Sequence, residues 1–120
     1  MNTSQYRISP NEVLHITNIL RSLGLNTSFI GTKLINKSIQ YIIKNDLEFI
    51  TLEKIYSYLH CKYGFNIHSI RNNINYALSN RNKKLSIKNF EKVFGYEYYE
   101  KNFEPKLFIE EVSNAVKRLR

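Results

Sequence analysis

The chain has one cysteine, two prolines, four glycines and no tryptophan in 120 residues. A lone thiol, Cys61, excludes an internal disulfide and fits a reducing compartment. No apolar run approaches the ~20 residues that a membrane-spanning helix needs. The first residues, MNTSQYRISPNE, lack the apolar segment of a secretory signal. A soluble cytoplasmic domain with no membrane partner is therefore expected. Asn2-Thr3-Ser4, Asn26-Thr27-Ser28 and Asn36-Lys37-Ser38 then read as accidental glycosylation sequons in an asparagine-rich chain. Acids are scarce too: 10 Asp and Glu face 18 Lys and Arg, for a formal charge of +8. Such an excess calls for an anionic partner, nucleic acid before an anionic membrane surface.

The inventory of catalytic groups is equally thin. No paired carboxylates sit in an apolar setting, and no glycine-rich loop is present to cradle phosphate. His60 and Cys61 diverge on a helix, and with His68 they find no second Cys/His pair to complete four ligands. Cys61 lacks a third group to orient a histidine base beside it. Neither an enzyme nor a metal or other cofactor is expected.

What the chain does contain is helical periodicity. A hydrophobic content of 42% with 13% aromatics supplies a core. Ser9-Pro10-Asn11-Glu12 is a capping box that opens a helix over roughly 10–23, in which Val13, Ile16, Ile19, Leu20 and Leu23 recur at helical spacing. Gly24 follows as a left-handed cap, with Leu25 closing the contact. Asn26 or Thr27 is expected to cap a second helix, which presents Ile30, Leu34, Ile35, Ile39, Ile42 and Ile43 up to about Lys44. Leu47, Phe49 and Ile50 are expected to pin the following connection to the core.

A third helix, from about Thr51, buries Leu52, Ile55, Leu59 and Tyr58 and stops at Tyr63-Gly64. Asn66 caps a fourth, with Ile67, Ile70, Ile74, Ala77 and Leu78 inward. A fifth runs from about Ser86 to Phe94, burying Ile87, Phe90, Val93 and Phe94. The tract 96–103 has no helical period. Its Tyr96, Tyr98, Tyr99 and Phe103 read as a packed loop edge in preference to a stacking platform for single-stranded bases. Glu104-Pro105 opens a last helix carrying Phe108, Ile109, Val112, Ala115, Val116 and Leu119. No period-2 alternation or hairpin pair occurs. The expectation is an all-α single domain of about six helices over 10–120, preceded by a tail over 1–9.

The third and fourth helices form the unit of interest. Two short amphipathic helices joined by a glycine turn, the second with a polar outer side, match the helix-turn-helix pattern, whose second helix enters the major groove of DNA. His68, Ser69, Arg71, Asn72 and Asn75 lie away from the apolar stripe. Arg can fork onto guanine O6 and N7, Asn can do the same on adenine N6 and N7, and Ser or His serves either. From 62 to 92 the bases are Lys62, Arg71, Arg81, Lys83, Lys84, Lys88 and Lys92, against Glu91 alone. Lys62, Arg81, Lys83, Lys84 and Lys88 are candidates for phosphate contact, which fixes register and affinity. Against this stands the bland reading, a core helix with a solvated outer face.

Several elements in order carry a resemblance to a known family. Ile16-Thr17 and Leu23-Gly24 come first, followed by Gly31, Ile35 and Ser38-Ile39. Val93-Phe94-Gly95-Tyr96 and then Pro105 with Phe108-Ile109 complete the series. Over Val13 to Arg118, with a small deletion before the third helix, the chain resembles the C-terminal DNA-binding effector domain of the response regulator that initiates sporulation in endospore-forming bacteria. The resemblance implies a six-helix fold with a helix-turn-helix and sequence-specific binding to promoter DNA. It also implies tandem or dimeric binding and contact with RNA polymerase sigma factors.

Two departures follow. Where the family's reading helix runs Ser-Arg-Val-Glu-Arg-Ala-Ile-Arg, this chain has His68-Ser69-Ile70-Arg71-Asn72-Asn73-Ile74-Asn75. The apolar pair is kept as Ile70 and Ile74, while guanidinium forks give way to amides. A·T-containing sites are the expected shift, and a binding-site selection that returned the family's usual site would refute it. The family's phosphoacceptor domain also has no counterpart here. Either a stand-alone protein or a fragment of a longer one is expected, and if stand-alone it would be controlled by abundance, by dimerisation or by pairing with a full-length relative. A competing expectation is a non-catalytic interaction module that binds or titrates a related regulator or a sigma factor without reading DNA.

Overall fold

The computed structural model describes residues 8–119. The tail expected over 1–9 falls mostly outside them, as does Arg120. The described residues form six α-helices: α1 (Pro10–Ser22), α2 (Ile30–Lys44), α3 (Leu52–Tyr63), α4 (Ile67–Ser79), α5 (Lys83–Phe94) and α6 (Pro105–Lys117). A 3-10 turn over Glu100–Phe103 precedes α6, and no strand occurs among the described residues. The all-α expectation holds.

Helix α1 begins as the capping box requires. Ser9 Oγ accepts from the Glu12 amide at 3.1 Å, and the Ser9 amide donates to the Glu12 carboxylate at 3.2 Å. It ends in a Schellman turn in which the Leu25 amide donates to the Leu20 carbonyl and the Gly24 amide to Arg21, both at 3.0 Å. Gly24 takes a φ of +93°, where a β-carbon would also run into the backbone carbonyl of Asn82. That approach is the seam between the two halves of the chain. The Asn82 amide donates to the Gly24 carbonyl at 2.8 Å, and the Ser86 hydroxyl donates to the Leu23 carbonyl at 2.5 Å.

Helix α2 is the central element, packing on α1, α3, α4 and α6. Its isoleucine-rich face, with Leu34, Ile35, Ile39, Ile42 and Ile43, meets Ile70, Ile74 and Ala77 of α4 in the core. Gly31 sets how closely the two helices approach, because a β-carbon there would fall on the carbonyl oxygen of Asn73.

Some expectations fail locally. The α2 start is set by Phe29, with no side-chain cap, while Asn26 Oδ1 accepts from the Ser28 amide at 2.9 Å in an Asx turn upstream. Phe49 is 94% exposed because its neighbour Ile50 takes the inward site. Helix α5 starts three residues earlier than expected, since the Asn82 side chain caps the Leu85 amide. Its inward line is Ser86, Phe90 and Phe94, which turns Ile87 outward. Ile67 and Leu119 are likewise exposed where they were expected to face inward. The 96–103 tract packs in part as expected: Phe90 is ringed by Phe94, Tyr96, Tyr98 and Phe103 at centroid distances of 4.7–6.0 Å, while Tyr99 is exposed and outside that cluster.

Candidate nucleic-acid interface

Three residues, Gly64, Phe65 and Asn66, join α3 to α4. The Gly64 amide closes α3 by donating to the His60 carbonyl at 2.9 Å. The His60 ring steadies the turn through Nδ1, 2.6 Å from the Phe65 carbonyl, and so must donate there. Asn66 then opens α4: its Oδ1 accepts from the His68 amide at 2.8 Å and from Ser69 at 3.3 Å. Such a cap contributes about 1 kcal/mol to helix stability.

With Ile70, Ile74, Ala77 and Leu78 buried, helical spacing turns His68, Asn72 and Asn75 to the opposite side, and all three are exposed. Asn72 Nδ2 donates to His68 Nε2 at 3.1 Å, which makes Nδ1 the protonated ring nitrogen and leaves the Asn72 oxygen to solvent. Ser69 lies on the flank, half-buried, with its hydroxyl accepting from Asn73 Nδ2 at 3.2 Å. Arg71 lies on the other flank. It is exposed and makes no hydrogen bond or ion pair among the described residues. Its charge reaches back to α3: burial pushes the Tyr56 hydroxyl up, and Arg71 opposes that rise. Two residues outside the expected set share the outer face at one-turn spacing. Ser79 follows Asn75, and Tyr76, 55% exposed with its ring edge on Phe29, follows Asn72. The i+4 continuation of the polar stripe is the signal that points to both. From 67 to 79 the helix carries no acidic residue.

The five phosphate candidates separate. Lys62, Lys84 and Lys88 are exposed and make no hydrogen bond or ion pair among the described residues. Lys83 lies beside Asn75 and Ser79 around a depression of about 480 Å3 that also includes Lys101. Lys101 comes from the tract without helical period, where no sequence pattern marked it. Lys83 is shared with Glu100, 3.3 Å away.

Arg81 corrects the sequence expectation. Its side chain is 7% exposed. Nε donates to Ser86 Oγ at 2.9 Å, one terminal nitrogen donates to the Leu78 carbonyl at 3.0 Å, and the other to Tyr98 OH and Glu100 at 3.0 and 3.2 Å. The guanidinium also stacks 3.8 Å above the Phe103 ring. A cation whose donors are taken up in this way is a joint between α4, α5 and the 3-10 turn, not a phosphate ligand.

Glu100 completes that joint. The Tyr98 hydroxyl stabilises the carboxylate most, burial opposes it next, and Arg81 and Lys83 add to the stabilisation, so that the pKa falls from 4.5 to about 2. A depressed folded-state value contributes stability that is whole above 4.5 and is lost as pH falls toward 2. Glu100→Gln is therefore expected to lower the melting midpoint at pH 6, with the two curves converging by pH 2. Parallel curves across that range would remove Glu100 from the acid response.

Among the described residues no three His, Cys, Asp or Glu side chains come together as a metal site. No helix among them is long and apolar enough to cross a membrane. Comparison with models of protein families, with curated proteins and with solved structures returns no match for this chain.

Proposed function

We propose that the protein is a DNA-binding transcriptional regulator in which α3 and α4 work as a helix-turn-helix and α4 lies in the major groove. The observation that carries this reading is the outer face of α4, where His68, Asn72, Asn75 and Ser79 are polar and exposed and no acid interrupts them. Helix N-terminal residues and amides are suited to base edges. The resemblance to the sporulation-initiation effector domain supports the same reading. It extends it to tandem or dimeric binding on promoter DNA and to contact with a sigma factor.

Arg71 and Asn72 would read bases, with Lys62, Lys84 and Lys88 on phosphates. Arg71→Ala should lower discrimination between preferred and random duplexes by about 1–3 kcal/mol. Lys84→Ala should weaken all duplexes alike and reduce the salt slope by about 1. Fluorescence anisotropy with A·T-rich, G·C-rich and family-site duplexes over a salt series measures both. If the two variants lose affinity equally on preferred and random DNA, this division of roles is wrong.

A second reading has its own observation. Tyr63 at the end of α3, Phe65 in the turn and Ile67 at the start of α4 are 38%, 36% and 36% exposed, an apolar edge where a DNA reader gains little. That edge suits a protein partner, so that the domain would bind or titrate a related regulator or a sigma factor without touching DNA. Uniformly weak binding that vanishes near physiological salt, followed by an empty binding-site selection, would favour this module over the DNA reader.

A further inference from the structure

Away from α4, a groove of about 550 Å3 opens between α1, α5 and α6. Its volume falls within the span of small-molecule sites, which pair an apolar lining with a few convergent polar groups. Ile19, Val93 and Leu119 give the apolar surface, Lys92 and Arg118 bring nitrogen donors to it, and among the described residues no carboxylate lines it. Lys92 and Arg118 are both exposed; one terminal nitrogen of Arg118 donates to the Phe94 carbonyl at 3.4 Å, and its other donors and Lys92 are available to a guest. His15 Nε2 is withdrawn from solvent, without a hydrogen-bond partner among the described residues, and is closed to the groove as well, so the charged contacts open to a guest are those of Lys92 and Arg118.

We propose that this groove binds a small amphiphilic carboxylic acid. The aliphatic body lies along Ile19, Val93 and Leu119, and the carboxylate is held by Arg118 and Lys92. Charge excludes an amphiphilic cation, and the apolar lining excludes a wholly polar anion such as inorganic phosphate. The site is independent of the α4 reading and stands or falls without it.

Octanoate is a suitable probe, with 1-octanol and octylammonium as matched chains of different head-group charge. Titrations of the full chain are followed by amide chemical shifts. The expected result is saturable octanoate shifts confined to α1, α5 and α6. Octanol should bind at least tenfold more weakly, and octylammonium should produce no saturable shifts. Arg118→Gln is expected to weaken octanoate about tenfold while leaving octanol unchanged, and that unchanged control also reports an intact groove. Lys92→Gln should act in the same direction. The proposal is overturned if octanol equals octanoate, if octanoate gives no saturable shifts, or if the shifts scatter over the lysine-bearing surface. Unchanged octanoate affinity in both variants would overturn it as well.

Discussion

Replacing Arg81 with methionine is expected to destabilise the protein by about 2–4 kcal/mol, because a largely buried joint loses several hydrogen bonds at once. The substitution keeps an apolar stem of similar length but removes every donor. Ser86 Oγ, the Leu78 carbonyl, Tyr98 OH and Glu100 would each lose a bond, and Phe103 would lose the planar cation above it. Arg81→Lys should recover less than half of the loss, because an ammonium cannot reproduce a planar fork aimed at several acceptors. Thermal melting at neutral pH is the measurement, with a fall in midpoint on the order of 10 °C for methionine. An unchanged midpoint combined with weaker binding to all DNA would return Arg81 to the role its place in the basic run first indicated.

Gly31→Ala is the second large effect. Alanine ordinarily gains up to about 1 kcal/mol over glycine inside a helix. Here the added carbon would land on the Asn73 carbonyl oxygen and press on Ala77, so α2 and α4 must move apart. Overpacking of this kind costs about 1–3 kcal/mol, and backbone cannot swing aside as a side chain can. Net destabilisation is therefore expected, read as a lower urea midpoint with an unchanged slope. Because α4 rests on α2 at this crossing, any DNA affinity should fall along with stability. A stabilised Gly31→Ala variant would show that the crossing is looser than its geometry indicates.

Most of the fold was legible because its signals are local. Ser9 with Glu12, Asn66 before Ile67, and Gly24 with Leu25 each fix a helix end within a few residues, and the structure bears out all three. The failures share a different cause. Helix α5 starts at Lys83 because the Asn82 side chain caps the Leu85 amide while the Asn82 backbone is held against Gly24, a residue far away in sequence. Ser86 displaces Ile87 from the interior because the Leu23 carbonyl and the Arg81 guanidinium both require its hydroxyl. Arg81 itself sits in the most basic part of the chain, and nothing nearby signals its partners Tyr98 and Glu100. Phe49 and Ile50 are equally apolar in sequence, and only the packing chooses between them. The outer face of α4 was readable from periodicity. The position of Lys101 beside Asn75 and Lys83 depends on a tract without a period and was not.

The contact between the end of α1 and the start of α5 also governs when the chain can become a protein on the ribosome. Synthesis delivers α1 first, yet the Gly24 and Leu23 carbonyls obtain their partners only once Asn82 and Ser86 have emerged. Helix α2, already complete by then, still waits for α4 and α6 to cover its isoleucines. At about 5–20 residues per second, several seconds separate the first helix from the residues that fix it. During that interval the nascent chain carries an uncovered apolar face. Folding should therefore come late and as a single event, and a chain that stalls before Asn82 is a substrate for chaperones or proteases rather than a half-built domain.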